Sequence, residues 1–332
     1  MNLFNFASKA HSAAASKLCS FLNFGAGGRM GLTMKLLNFG SLNYDYVYSV
    51  DHIVQPGETL SSSKMETFCG GKGLNQSIAL VKAGAQVYHA GIVGTDGGDL
   101  LKVCDDNHIE RSLVKQEDDK SGHAIIQVNK DGQNCILLYG GCNRRNSKEN
   151  VDRVLQNFGK GDMIVLQNEI NLIDFIIDEA YEKNMTIVLN PSPFDDAMQA
   201  CDLNKVSIFL MNEVEGAQIT GETEPDKILD CMIKRYPNAR VVLTLGKLGV
   251  RYRDSQQAYS HGVYRVPIVD TTAAGDTFTG YFIASILRGE SVPEALRLAS
   301  VASSIAVTKK GATSSIPVLE EVKEIHLTLE IN

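Results

Sequence analysis

No Cys-x-x-Cys pair occurs among the seven cysteines (Cys19, Cys69, Cys104, Cys135, Cys142, Cys201 and Cys231), and their total is odd. A disulfide framework or a zinc site is therefore disfavoured, and reduced thiols in a cytoplasmic protein are expected. No apolar run approaches the roughly 18 residues a membrane span needs. A basic excess is missing too: 32 basic residues against 39 acidic ones leave a net charge of −7, which argues against a nucleic-acid or anionic-membrane partner. Any phosphate site must then be built locally. Hydrophobic and charged contents of 44% and 21% are those of an ordinary globular protein. A chain of 332 residues holds two average domains or one large α/β domain with an appendage.

Acidic residues are also missing from the start of the chain, where the first is Asp45. Residues 1–33 are rich in Ala, Ser, Gly and Phe and carry Lys9, Lys17 and Arg29. An organelle-targeting peptide is acid-poor in this way, and a disordered leader or a start codon assigned too early fits as well. This segment is expected to stand outside the fold, with the domain at 34–332. Its run Gly25-Ala26-Gly27-Gly28-Arg29-Met30-Gly31 is no dinucleotide loop, because the third glycine falls one residue late and no strand precedes it.

Periodicity then sets the fold class. Short apolar runs at 36–40, 87–93, 163–166, 186–189, 207–210 and 241–244 alternate with helical spacing, as in Leu74, Ile78 and Val81 or Leu172 to Ala180. Such βαβ repetition predicts an α/β fold with a doubly wound, mostly parallel sheet flanked by helices. Two regions break the pattern, at about 46–68 and 121–140. Their short alternating runs, with Asp131-Gly132 between two of them, predict a separate small β-sheet lid. One face of such a lid needs cover, so a homodimer through the lid is expected.

Polar residues cluster where strands should end, which in open α/β sheets is the ligand-binding edge. Asn43 and Asp45 follow the first strand and, if extended, point to the same side. Gly70-Gly71-Lys72-Gly73-Leu74-Asn75 opens a helix; paired glycines let a ligand approach the backbone, and Lys72 and Asn75 offer donors for sugar oxygens. The same run would also serve as a plain turn and helix cap. Gln167, Asn168 and Glu169, then Asn190, then Asn212 and Glu215, then Thr244 and Gly246 follow successive strands. Asn212 and Glu215, at i and i+3 of a helix start, could position the water shell of a Mg²⁺.

The sharpest signal is Asp270-Thr271-Thr272-Ala273-Ala274-Gly275-Asp276. Val266, Ile268 and Val269 before it favour a strand, and Phe278, Tyr281 and Phe282 after it a helix. Ala273, Ala274 and Gly275 are too small to screen their amides, and these sit at the positive end of the helix dipole, which suits a phosphate. Asp276 stands beside that anion. A carboxylate so placed can take the proton from an attacking hydroxyl, as phosphoryl transfer to an alcohol requires.

Gly-Gly-Lys-Gly-x-Asn-Gln at 70–76, Asn-x-x-Glu at 212–215 and Asp-Thr-x-Ala-Ala-Gly-Asp-Thr-Phe at 270–278 occur here in the order found in the ribokinase family of carbohydrate kinases (the PfkB group). The chain resembles that family from about residue 34 to 327. The resemblance implies ATP-dependent phosphorylation of a sugar primary hydroxyl, foremost the 5-hydroxyl of D-ribose, with deoxyribose, fructose or a nucleoside as alternatives. It implies sugar contacts from Asn43, Asp45, Gly71, Lys72, Asn75 and Glu169. Asp276 would be the base, with the amides of Ala273, Ala274 and Gly275 as anion hole. Asn212 and Glu215 would organise Mg²⁺ and phosphate, while Thr244, Gly246 and Gly249 would form the nucleotide-binding turn. A K⁺ site would draw on the Asp270 carboxylate, the carbonyls of Thr272, Ala306, Lys309 and Gly311, and Ser315. Leu74, where ribokinases commonly carry a small residue, and Gly141-Cys142-Asn143, in place of Gly-Ala-Asn, are the departures. A non-catalytic sugar-binding protein is the rival outside enzymes.

Overall fold

The computed structural model describes residues 34–330, so the expectations for residues 1–33 lie outside the described residues. The first strand, β1 (Leu36–Phe39), lies inside a nine-stranded sheet. Around it stand β4 (Val87–Val93), β5 (Glu110–Gln116), β8 (Met163–Gln167), β9 (Thr186–Asn190), β10 (Ile208–Asn212), β11 (Arg240–Thr244), β12 (Val250–Arg253) and β13 (Ala258–His261). The spatial order is β13-β12-β11-β10-β9-β8-β1-β4-β5. Neighbours from β5 to β11 pair in parallel, and only β12 and β13 run antiparallel. Both faces of the sheet are covered, which is why β1 and β8 read as unbroken runs with every residue buried. Two apolar clusters form, one on each face: Val165, Val188, Leu210 and Val242 point into the first, and Ile164, Ile187, Phe209 and Val241 into the second. The chain winds outward from β1 to β4 and β5 on one side and to β8 and beyond on the other. That reversal opens a crevice at the carboxyl ends of β1 and β8, the place where such sheets bind ligands.

A second sheet is the predicted lid. Strands β2 (Asn43–Ser49), β3 (Lys64–Gly70), β6 (Gly122–Val128) and β7 (Asn134–Tyr139) take the order β3-β2-β6-β7. The Asn129-to-Gln133 hairpin joins β6 to β7, with Gly132 at φ +78° closing the turn as the Asp-Gly pair requires. Strand β7 is exposed along its whole length, and Ile136, Leu137, Leu138 and Tyr139 all face solvent. Glu66 of β3 forms an ion pair with Lys310, 2.6 Å apart, tying the lid to the loop after the helix Val292–Ala306.

Three features depart from the sequence reading. Strand β5 and the β12–β13 hairpin are additions to the large sheet. The strand expected at Val266, Ile268 and Val269 is absent: Ile268 and Val269 are each 61% exposed, and the main chain there bonds to no sheet. The N–H groups of Val269 and Asp270 instead donate to the Val307 carbonyl, at 2.8 and 3.2 Å. The end of a helix has taken the role of a neighbouring strand. The six cysteines of the described residues are all free thiols.

Candidate active site

Two helices bring the chemistry together. The helix Lys72–Lys82 starts at Gly71, whose φ of +89° favours glycine, and it approaches the β1–β2 connection closely. A Cβ on Gly73 would lie 2.3 Å from the Ser41 amide nitrogen, so only glycine fits there. The helix Ala274–Leu287 crosses this first helix with Gly280 against Ala79, where a Cβ would come within 2.4 Å of the Ala79 Cβ. This contact sets the helices close enough for side chains to bridge them. Asn75 Nδ2 donates to Asp276 Oδ2 and Gln76 Nε2 to Asp276 Oδ1, each at 3.0 Å.

Asp276 is 8% exposed. Burial raises its pKa above the usual carboxylate range, Glu169 adds to the rise, and Lys72, Gln76 and Asn75 oppose it. Three acids share the crevice. Asp45 is pushed up to about 7, first by burial and then by Glu169 and Asp276, with Lys72 pulling the other way. Lys72 holds its proton more tightly than usual, because Glu169, Asp276 and Glu215 outweigh the effect of its burial. Its ammonium lies 3.7 Å from Glu169 Oε1. Glu169 Oε2 also accepts from the Ser41 hydroxyl at 2.5 Å and from the Lys72 amide at 3.0 Å. Of the expected sugar-contact residues, Asn75 touches Asp276, Asp45, Lys72 and Glu169 interact with it electrostatically, and Gly71 adjoins Asn43 beside them.

Sequence reasoning passed over the residues that hold this set in place. Asn143 Nδ2 donates to Asn43 Oδ1 at 2.6 Å, and its Oδ1 accepts from the Leu42 amide. Gly122 leaves the space, since a Cβ there would sit 2.1 Å from Asn143 Nδ2. Gln76 and Asn143 lie within sequence motifs and Ser41 just ahead of Asn43; only their hydrogen bonds distinguish them from loop residues.

Beside Asp276 the chain is open. Ala273 adopts φ +59°, an uncommon conformation for a residue with a Cβ, and it turns the backbone into the helix. The Ala274 amide donates back to the Thr271 carbonyl at 3.2 Å, which removes one of the three proposed anion donors in this state. Gly275 is exposed, and a Cβ there would meet nothing within 4 Å. Its N–H at the helix start is approachable by an anion.

Asn212 and Glu215 form a reciprocal capping box at the start of the helix Glu213–Thr220. Asn212 Oδ1 accepts from the amides of Val214 and Glu215, while the Glu215 carboxylate accepts from the Asn212 amide and side chain. The pair therefore orders the helix start whatever else it does. Thr244 ends β11, and Gly246 and Gly249 follow at φ +52° and +87°. A Cβ on Gly249 would strike the His261 carbonyl at 2.2 Å, so the turn between them is tightly fixed, with Leu248 left 64% exposed.

The Asp270 carboxylate lies on the far side of the Ala273 turn. It accepts from the Thr272 amide and hydroxyl and from the Gly311 amide, at 2.9, 2.6 and 2.9 Å. Burial raises its pKa, yet these donors outweigh it and leave the group below its ordinary value, so it is ionised at neutral pH. The 306–315 loop is thereby joined to the turn. The Ala306 carbonyl accepts from the Lys309 amide, and the Ser315 hydroxyl donates to the Ala312 carbonyl. Among the described residues, no group of three or more His, Cys, Asp or Glu side chains is arranged to hold a metal, and no helix is long and apolar enough to cross a membrane.

Residues 34–319 match the model of the pfkB family carbohydrate kinases. A ribokinase of Staphylococcus aureus is 34% identical over 310 residues, covering 89% of this chain and all of the relative. A deoxyribokinase of Salmonella typhi is 29% identical over 306 residues, 88% of this chain and 98% of that one. Among solved structures, Arabidopsis thaliana ribokinase complexed with ribose and ATP superposes with a TM-score of 0.77 at 27% identity, over 88% of this chain and 98% of that one. With its ribokinase-like fold and a family match spanning nearly the whole described region, the chain belongs to the pfkB family of carbohydrate kinases.

Proposed function

We propose that this kinase transfers the γ-phosphoryl group of ATP to the primary hydroxyl of a pentose, with D-ribose to D-ribose 5-phosphate as its reaction. One observation carries the reading: a buried carboxylate, Asp276, fixed by two amide donors, adjoins the approachable amide of Gly275 at a single helix start. Asn43, Asp45, Lys72, Asn75 and Glu169 hold the sugar hydroxyls. Asp276 takes the proton of the 5-hydroxyl as its oxygen forms a bond to the γ-phosphorus, and the bond from that phosphorus to ADP breaks. The Gly275 amide, with those of Ala273 and Ala274, stabilises charge on the transferring group. Ala274 gains this role only if its bond to Thr271 yields to the phosphate. The several relatives named ribokinase favour ribose over the deoxyribose of the Salmonella relative.

The nucleotide lies along the turn of Thr244, Gly246 and Gly249. Mg²⁺ suits the side of Asn212 and Glu215: both Glu215 oxygens keep a lone pair beyond the capping box, and a metal holding its own waters needs no more. Bound there, it would neutralise phosphate charge. K⁺ suits Asp270, whose negative charge persists beneath its three donors, with carbonyls of Thr272, Ala306, Lys309 and Gly311 and with Ser315 nearby in the loop. A second copy of the chain suits the exposed β7, and sedimentation velocity that gives only monomer at micromolar concentration removes that part.

The central test is Asp276→Asn assayed by ADP release. Turnover should fall about 10²-fold or more, the scale of a lost general base. Turnover near that of the parent overturns the assignment, and a panel of ribose, deoxyribose, fructose and adenosine decides the acceptor. Sugar binding with no ADP release from any of them would favour the non-catalytic alternative.

A further inference from the structure

The hydrogen bonds that orient Asp276 do not end at Gln76. Gln76 Oε1 accepts from Gln167 Nε2 at 2.7 Å, and the same nitrogen donates to Asn38 Oδ1 at 2.9 Å. Asn38 Nδ2 donates to the Gly73 carbonyl and to Ser77 Oγ, at 2.7 and 2.8 Å. Ser77 Oγ in turn shares a hydrogen bond with His89 Nδ1 at 2.7 Å. Asn38, Gln76, Ser77, His89 and Gln167 expose no surface at all. They form one chain from strands β4, β1 and β8 to the helix that carries Asp276.

The direction of this chain is fixed by chemistry. An ionised carboxylate only accepts, so Gln76 must turn its NH₂ toward Asp276 and its carbonyl toward Gln167. Gln167 must then present its NH₂ to both Gln76 and Asn38. Its own carbonyl is left buried without a partner. An orphaned buried acceptor costs about 1–3 kcal/mol. Flipping Gln167 would gain nothing, since it would set a carbonyl against two others. The fold tolerates the orphan because the alternative breaks the link to Asp276. Gly40 leaves the room it needs, as a Cβ there would lie 2.3 Å from Gln167 Oε1.

We propose that Gln76 is a positioning residue for phosphoryl transfer: it holds the Asp276 carboxylate toward the acceptor hydroxyl, and Gln167 and Asn38 keep its amide the right way round. This rests on the reading of Asp276 as the base. The charged groups facing Asp276 are Lys72 from the same helix as Gln76, Glu169 after β8 and Asp45 on β2. None of them donates to Asp276 Oδ1, so none replaces Gln76.

The test is the pH dependence of kcat in Gln76→Leu, with ribose affinity measured by calorimetry and folding by thermal melting. We expect plateau kcat to fall about tenfold, because a carboxylate free to rotate spends less time in the reactive geometry. The acid limb should move to higher pH by about half a unit or more, since a carboxylate that loses a donor binds its proton more tightly. Ribose Kd should stay within about threefold, as Gln76 is not among the sugar contacts. Gln167→Met, one residue further from the base, should move the same limb in the same direction by less, and it serves if Gln76→Leu does not fold. An unmoved acid limb in a folded variant overturns the proposal, as does a loss of kcat that only follows melting temperature. Asp276→Asn separates the two layers: if it stays active, the base assignment falls and this inference with it. If it is inactive while Gln76→Leu behaves as the parent, only the inference falls.

Discussion

The two sides of the active site are built to different standards. On the proposed sugar side, Asn43, Glu169 and Asp276 are each held by neighbours: Asn143 for the first, Ser41 and the Lys72 amide for the second, Asn75 and Gln76 for the last. On the proposed phosphate side, Gly275 is exposed, Ala273 sits at a positive φ, and the Ala274 amide is turned to its own loop. Preorganised donors cost no rearrangement when charge develops, so an acceptor hydroxyl bound there, as proposed, would meet groups already ordered. The anion must complete its own cradle. A kinase gains from this asymmetry, because a phosphate site that waits for its ligand is less prepared to transfer the group to water.

The comparison breaks most severely at Gly275. Gly275→Pro removes its N–H within the first turn of a helix, where proline is tolerated, and should lower kcat about 10²-fold while sugar binding persists. Gly275→Ala is the control: open space at the Cβ predicts activity within about twofold, as a small exposed change warrants. Parallel kcat and ribose-binding measurements on the two variants check this, and equal losses in both would mean that the amide is not what matters.

A smaller effect should come from the K⁺ proposed at Asp270. Rates in K⁺ should exceed those in Na⁺ by several-fold, roughly the 1 kcal/mol scale at which one ion biases a local conformation. Asp270→Asn should abolish the difference. Equal rates in the two salts for the parent enzyme would remove the proposed role of the 306–315 loop.

The smallest effect concerns the sugar side, where the prebuilt acids repel one another. Asp45 has a folded pKa raised to about 7, so the unfolded chain releases this proton at lower pH than the folded one does. For an acid shifted upward, stability of the sugar-free protein must fall as pH rises from about 4 to 7 and stay lower above that. Asp45→Asn should therefore raise Tm by roughly 2 °C or more at pH 8 and leave it nearly unchanged at pH 4. Melting curves at both values check the sign, and stabilisation confined to pH 4 would reverse the electrostatic account.

Much of this was legible in the sequence, for unequal reasons. The parallel strands announced themselves because a strand covered on both faces must be apolar throughout, as in Ile164-Val165-Leu166. The lid was legible through alternation and the Asp131-Gly132 turn. Strand β5, Glu110–Gln116, was not, because its one buried residue, Leu113, leaves almost no apolar signature. The segment Val266 to Val269 misled in the opposite way: its residues favour extended backbone, but extension alone does not supply a partner strand. Within the site, Asp276 and the small residues before it stood out by type and spacing. Gln76, Gln167 and Asn143 did not, since an amide that serves another side chain looks in sequence like any polar residue, and only long-range contact gives it meaning. The capping box at Asn212 and Glu215 shows the converse, a spacing read for metal that also meets a purely structural need.

Gly280 lies one turn beyond Asp276 and Ala79 one turn beyond Asn75, on the faces by which the two helices meet, and their contact bears on how far Asp276 stands from Asn75 and Gln76. A single added methyl there would act as a shim, widening a gap that the Asp276 carboxylate has to bridge. Variation at that buried seam would consequently register first as a slower enzyme rather than as a failed sugar grip, and a survey of inactive variants would find some of its strongest among residues that no reactant ever meets.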